Sequence, residues 1–66
     1  MAWLCTDRHG EEEIFNSRPY KSEKGVWVSL KINDYGADLP KGSIKRLIGR
    51  ELTWEDEPVK FLEVVE

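Results

Sequence analysis

This chain of 66 residues has one cysteine and one histidine, and their scarcity excludes two common supports of a very small protein. The lone Cys5 closes no internal disulfide, and Cys5 with His9 falls short of the four ligands of a structural zinc site. No stretch approaches the ~18–20 apolar residues that span a bilayer, so no membrane role is expected. The opening Met1-Ala2-Trp3-Leu4-Cys5 has no basic lead-in and too short an apolar run for a signal peptide. Together with a free thiol, this predicts a cytoplasmic protein. Glycine-rich phosphate loops, nucleophile elbows and helices with paired histidines are also missing, and no cofactor is implied.

Three tryptophans, two tyrosines and two phenylalanines, beside 35% charged residues and a net charge of −3, describe a folded acidic protein rather than a disordered tail. The length allows one domain, residues 1–66. A chain near 60 residues buries only about 60% of the surface that its unfolded form exposes, and a core of that size rarely supplies more than roughly 3–5 kcal/mol. Self-association is the support that remains open.

Residues 26–33 dominate the pattern. Val26, Val28, Leu30 and Ile32 alternate with Trp27, Ser29, Lys31 and Asn33, which predicts a half-buried strand of about 27 Å, the spine of the sheet. Ahead of it, Ala2–Thr6 and Glu12–Phe15 flank Asp7-Arg8-His9-Gly10 and predict a hairpin. Its buried face stays open, because Trp3 and Cys5 oppose Leu4 and Thr6, and a twisted corner can use both sides. Pro19 interrupts the ladder, Tyr20-Lys21 resumes it, and Ser22-Glu23-Lys24-Gly25 turns the chain into the central strand, completing an antiparallel meander. Residues 33–38 collect turn formers around Tyr35 and predict a surface loop. Ser43 then offers its hydroxyl to the free amides of a short helix, 43–48, with Ile44, Leu47 and Ile48 on its apolar face and Gly49 as its stop. Residues 52–54 and 59–65 predict a terminal hairpin around Glu55-Asp56-Glu57-Pro58, with a bulge where alternation breaks at Phe61-Leu62 and Val64-Val65.

The fold expected is α+β, mainly β: an antiparallel sheet of about five strands, strongly twisted or partly closed into a barrel, with one short helix.

Chemistry-bearing constellations are few. Cys5 and His9 lie across the first turn, but a buried cysteine that packs and an ordinary turn histidine describe them better than a nucleophile and its base. Glu11-Glu12-Glu13 and Glu55-Asp56-Glu57 are carboxylate triplets whose neighbours alternate sides, so neither converges on one point as a glycosidase pair or a calcium loop requires. Residues 41–50 hold Lys41, Lys45, Arg46 and Arg50 and no acid, whereas residues 51–66 hold six acids and one lysine. The basic segment is the alternative candidate, a phosphate-tracking surface of a nucleic-acid accessory protein, though the acidic balance argues against nucleic acid as a partner. Trp27 lies opposite the aliphatic face of its strand and needs a cover, either Trp3 or Trp54 within the chain or a partner surface. A non-catalytic module that binds a protein or a second copy of itself is therefore the leading expectation, with Trp27, Tyr35 and Trp54 as aromatic anchors and Asp56 and Glu57 as charged rim.

The run Leu39-Pro40-Lys41-Gly42-Ser43-Ile44-Lys45, followed by Gly49-Arg50-Glu51-Leu52-Thr53-Trp54-Glu55-Asp56-Glu57-Pro58-Val59, resembles a group of short uncharacterised proteins of bacteria and their phages. Trp3-Leu4-Cys5-Thr6-Asp7 with Gly10, then Ile14-Phe15, Pro19 and Trp27, extend the resemblance over nearly the whole length. It brings no activity and no catalytic residues. What it implies is a mobile-element context, in which small acidic proteins often act by binding host or phage proteins.

Overall fold

The computed structural model describes residues 2–61. The first hairpin forms with the expected bounds, β1 at Ala2–Thr6 and β2 at Glu12–Phe15. Its turn is closed by Asp7, whose Oδ1 accepts the amides of His9 at 2.8 Å and Glu11 at 3.0 Å, while Gly10 takes the positive φ that such a turn requires. Then come β3 at Tyr20–Lys21, β4 at Trp27–Val28, β5 at Ala37–Leu39, helix α1 at Ser43–Ile48 and β6 at Val59–Phe61.

The architecture is small α+β and mainly β. An antiparallel sheet of four strands runs in the order β5-β2-β1-β6, and β3-β4 form a separate sheet of two strands. There is no closed barrel among the described residues, and the expected meander is cut between β2 and β3 into two sheets.

The long strand expected over residues 26–33 is the largest correction. Only Trp27 and Val28 pair, with Lys21 and Tyr20. The next partner in that register is Pro19, which has no amide to give, so the ladder stops there. The polarity is also inverted: Trp27 is buried, while Val28, Leu30 and Ile32 are exposed.

The four-stranded sheet is covered on both faces, which is why consecutive residues Leu4, Cys5 and Thr6 are all buried. One face carries Leu4, packed with Ile44 of α1 and Leu52, and flanked by Ile14, Leu39, Val59 and Phe61. The other carries Cys5 and Phe15 under Trp27, with Trp3 and Trp54 at the sides. The β3–β4 hairpin is fixed there by two long-range hydrogen bonds, Trp27 Nε1 to the Thr6 carbonyl at 2.8 Å and the Arg8 amide to the Gly25 carbonyl at 3.0 Å. A buried indole needs a partner for its N–H, and the end of β1 supplies it.

Helix α1 has the expected bounds and ends at Gly49, in the left-handed conformation. Its cap differs from expectation. Gly42 is the N-cap and makes no side-chain cap bond, and the Ser43 hydroxyl turns back to donate to the Pro40 carbonyl. The free amides of Gly42 and Ile44 are instead taken by the Glu12 carboxylate. Of the proposed apolar face, Ile44 is buried and Ile48 half-buried, while Leu47 is exposed.

Two further expectations are corrected. The loop over residues 33–38 ends early, because Ala37–Leu39 pairs with β2 as an edge strand. Residues 52–54 form no strand: the Asp56 amide donates to the Thr53 carbonyl and the Asp56 carboxylate accepts the Thr53 amide, making a turn. The terminal hairpin is thus replaced by a pairing of β6 with β1. The bulge expected at Phe61-Leu62 and Val64-Val65 lies outside the described residues, apart from Phe61.

Candidate partner-binding surface

The segment between β4 and β5 leaves the two-stranded sheet at Val28 and enters the four-stranded sheet at Ala37. Its backbone is held from inside by Asp34, a buried carboxylate that gathers four donors. Its Oδ1 accepts the Asn16 amide at 3.1 Å, and its Oδ2 accepts the Ser17 amide at 2.8 Å, the Ser17 hydroxyl at 2.6 Å and the Ser29 hydroxyl at 3.0 Å. Burial works against this charge, but the Ser17 hydroxyl, the Asn16 and Ser17 amides and the Ser29 hydroxyl outweigh it and hold the carboxyl down at about 2. Ser29 Oγ also accepts the Lys31 amide, and Asn33 takes a positive φ of 68° that lets the chain double back into Asp34.

Anchoring the inside of this loop leaves its apolar side chains outside. Leu30, Ile32 and Tyr35 are 79, 88 and 84% exposed. At the C-terminal root Gly36 passes against the Phe15 ring so closely that there is no room for a side chain. The loop is therefore pinned at both ends and apolar at its crest.

The five residues expected to contact a partner are dispersed by the fold. Tyr35 is on the loop crest. Trp27 is only 5% exposed and meets Trp54 edge-on, with ring centroids 5.3 Å apart; of the two covers expected for it, the internal one forms, and Trp27 offers no exposed surface. Trp54 is half-buried, and the Lys21 ammonium lies 4.6 Å from its ring centroid. Asp56 closes its local turn, and Glu57 pairs with Arg18 at 2.6 Å, the same guanidinium that stands 5.3 Å over Trp3. Glu57 thus holds Arg18 at the edge of the tryptophan cluster, while Asp56 serves the turn that begins at Thr53.

Alternation alone puts Leu30 and Ile32 on a core face, and turn composition puts Asp34 in a plain surface loop; the structure reverses both. The signal that locates them correctly is the Ser29-to-Asp34 spacing with Asn33 ahead of the aspartate, a pairing that favours side-chain-to-backbone closure over continued strand.

Lys41, Lys45, Arg46 and Arg50 are all exposed along and beside α1. A cavity of about 300 Å³ opens nearby, lined by Thr6, Glu12, Lys41, Lys45, Glu51 and Leu52 among others. The helix amides that an anion would use there are already bonded to Glu12.

Cys5 is buried beneath the second sheet. Burial, then the charges of Glu13 and Asp7, push its thiol up to about 12, so it is un-ionised at neutral pH and lacks the thiolate that nucleophilic catalysis needs. His9 is exposed in the first turn. No group of three or more His, Cys, Asp or Glu among the described residues is placed to hold a metal ion, and no helix among them is long and apolar enough to cross a membrane.

Compared with protein-family profiles, curated proteins and solved structures, the chain matches none of them.

Proposed function

We propose that this chain is a non-catalytic binding module that inserts the crest of its apolar loop, Leu30, Ile32 and Tyr35, into a groove of another protein. One observation carries the reading: three large apolar side chains stand in solvent on a backbone anchored by four hydrogen bonds to one buried carboxylate. An exposed apolar cluster of this kind marks an interaction site, and a loop already ordered loses little further freedom on binding. The occupant is a protein surface, because the crest is aliphatic and phenolic and carries one cation, Lys31. The phage-like resemblance supports a cytoplasmic partner from a host or mobile element.

Photo-crosslinking in cells from a residue placed at Ile32, against a control at Lys24, tests this. A discrete protein adduct from position 32 alone, lost in the Leu30→Ser/Tyr35→Ser variant, is the expected result. An adduct at twice the chain mass identifies a second copy as the partner. Equal or absent labelling at both positions overturns the reading.

The exposure of Lys41, Lys45, Arg46 and Arg50 favours a second reading, a nucleic-acid accessory surface on α1. Its signature is binding that falls steeply with salt, and charge reversal at Lys45 and Arg46 removes it.

A further inference from the structure

Strand β2 lies between β1 and β5, and in one row across the three strands Cys5, Glu13 and Asp38 stand side by side. Residues directly opposite in an antiparallel ladder have Cβ atoms about 4.5–5.5 Å apart, and like charges there repel. The outer rung of the sheet therefore sets two acids opposite each other. Glu13 is half-buried, with its Oε1 buried and without a hydrogen-bond partner, while Asp38 opposite it is exposed. The groups that face it are the Cys5 thiol of β1, Asp7 and Glu11 at the ends of the first turn, and Asp38 of β5. No cation pairs with it among the described residues.

We propose that the Glu13–Asp38 rung is a proton-controlled latch on edge strand β5, closed when Glu13 carries a proton and loosened when both carboxyl groups are ionised. A protonated Glu13 carries no charge and gains an O–H donor that a carboxylate lacks, which removes the repulsion across the rung. Burial, followed by the charges of Asp7, Asp38 and Glu11, pushes the Glu13 carboxyl up to about 6, which sets the range in which the proton is lost. A carboxyl raised in the folded state contributes its stability fully below its ordinary value of 4.5 and loses it as pH rises through about 6. Strand β5 yields first because it has three residues and, among the described residues, pairs only with β2, and short edge elements open locally before the rest of a fold. It directly follows the root of the apolar loop at Gly36, so its release slackens that root. The latch is a property of the folded chain and does not depend on the binding role of the loop.

Amide hydrogen exchange of the whole chain between pH 4.5 and 7.5, corrected for the intrinsic pH dependence of exchange, tests the proposal. Residues 37–39 are expected to lose roughly tenfold in protection relative to β1 as Glu13 ionises, since one unit of pKa is a factor of ten. Glu13→Gln should keep β5 closed and remove the dependence. A flat profile in the unmodified chain, or the same slope in Glu13→Gln, overturns the latch. Asp38→Asn gives an independent reading through the Glu13 side-chain carboxyl resonance: its titration midpoint should fall once the opposing charge is removed, and an unmoved midpoint overturns the proposal.

Discussion

Glu12 Oε1 accepts the Ile44 amide at 2.8 Å, joining β2 to the start of a helix that stands thirty-two residues later in the chain. Its other oxygen accepts the Gly42 amide at 2.7 Å. A helix of six residues is too short to persist by itself, so this carboxylate does from a distance what a local cap does elsewhere. It satisfies two free amides and places a negative charge at the positive end of the helix.

Replacing Glu12 with alanine is accordingly expected to destabilise the fold by about 1–2 kcal/mol, the range of a lost cap with its charge. Glu12→Gln keeps oxygen as an acceptor for one amide and should lose roughly half as much. Urea unfolding followed by tryptophan fluorescence measures both. Ser43→Ala, by contrast, should leave the helix start intact, because the Ser43 hydroxyl donates to the Pro40 carbonyl and accepts no helix amide.

Asp34 gives the fold an acid limit. Its carboxyl is held down at about 2 against an ordinary 3.8 by donors that prefer the charged form, so its contribution is complete above 3.8 and lost as pH falls through about 2. A difference of that size corresponds to at most about 2.5 kcal/mol, reduced by solvent screening of the site. Thermal unfolding between pH 2 and 5 should show this loss, and Asp34→Asn should be less stable at pH 5 while losing much of the slope below 3.8. The window lies below the one in which Glu13 titrates, so the two carboxyls separate cleanly: one stabilises by holding its charge, the other by giving it up.

How much of this was legible in the sequence differs between near and distant contacts. The first hairpin, the Ser22–Gly25 turn and helix α1 follow from local turn chemistry, where glycine at positive φ and a polar run leave few alternatives, and their bounds agree with expectation. The error at residues 26–33 has another origin. Alternation says that two faces differ; it does not say which face is covered or whether a partner strand continues. Trp27 is larger than any of its aliphatic neighbours and finds the Thr6 carbonyl for its indole N–H, so the hairpin docks by that side, and Pro19 ends the ladder. Strand β5 was hidden by the turn formers ahead of it, because its pairing with β2 depends on residues more than twenty positions away. The candidate surface was found only at Tyr35; Leu30 and Ile32 became part of it when the face reversed.

Gly36 and Phe15 supply the sharpest test of how the loop root is built. The Gly36 φ is +75°, and a Cβ there would lie 2.7 Å from Cε2 and Cζ of the Phe15 ring. That ring is buried in the cluster with Cys5 and Trp27, and although a cavity of about 310 Å³ lies beside it, moving the ring off the clash breaks its packing in that cluster. Gly36→Ala therefore combines backbone strain with overpacking, and a loss of about 2–4 kcal/mol is expected. Gly10→Ala is the matched control: its φ is +86° but open space surrounds the position, so only the backbone term of about 1 kcal/mol applies. Equal losses in the two variants, measured by urea unfolding, would mean that the Phe15 ring gives way and that the loop is not pinned there. A Gly36→Ala/Phe15→Leu double variant separates the terms further. Phe15→Leu removes the ring atoms the new Cβ would strike, so if contact dominates, adding Gly36→Ala to it should cost clearly less than adding Gly36→Ala to the unmodified chain.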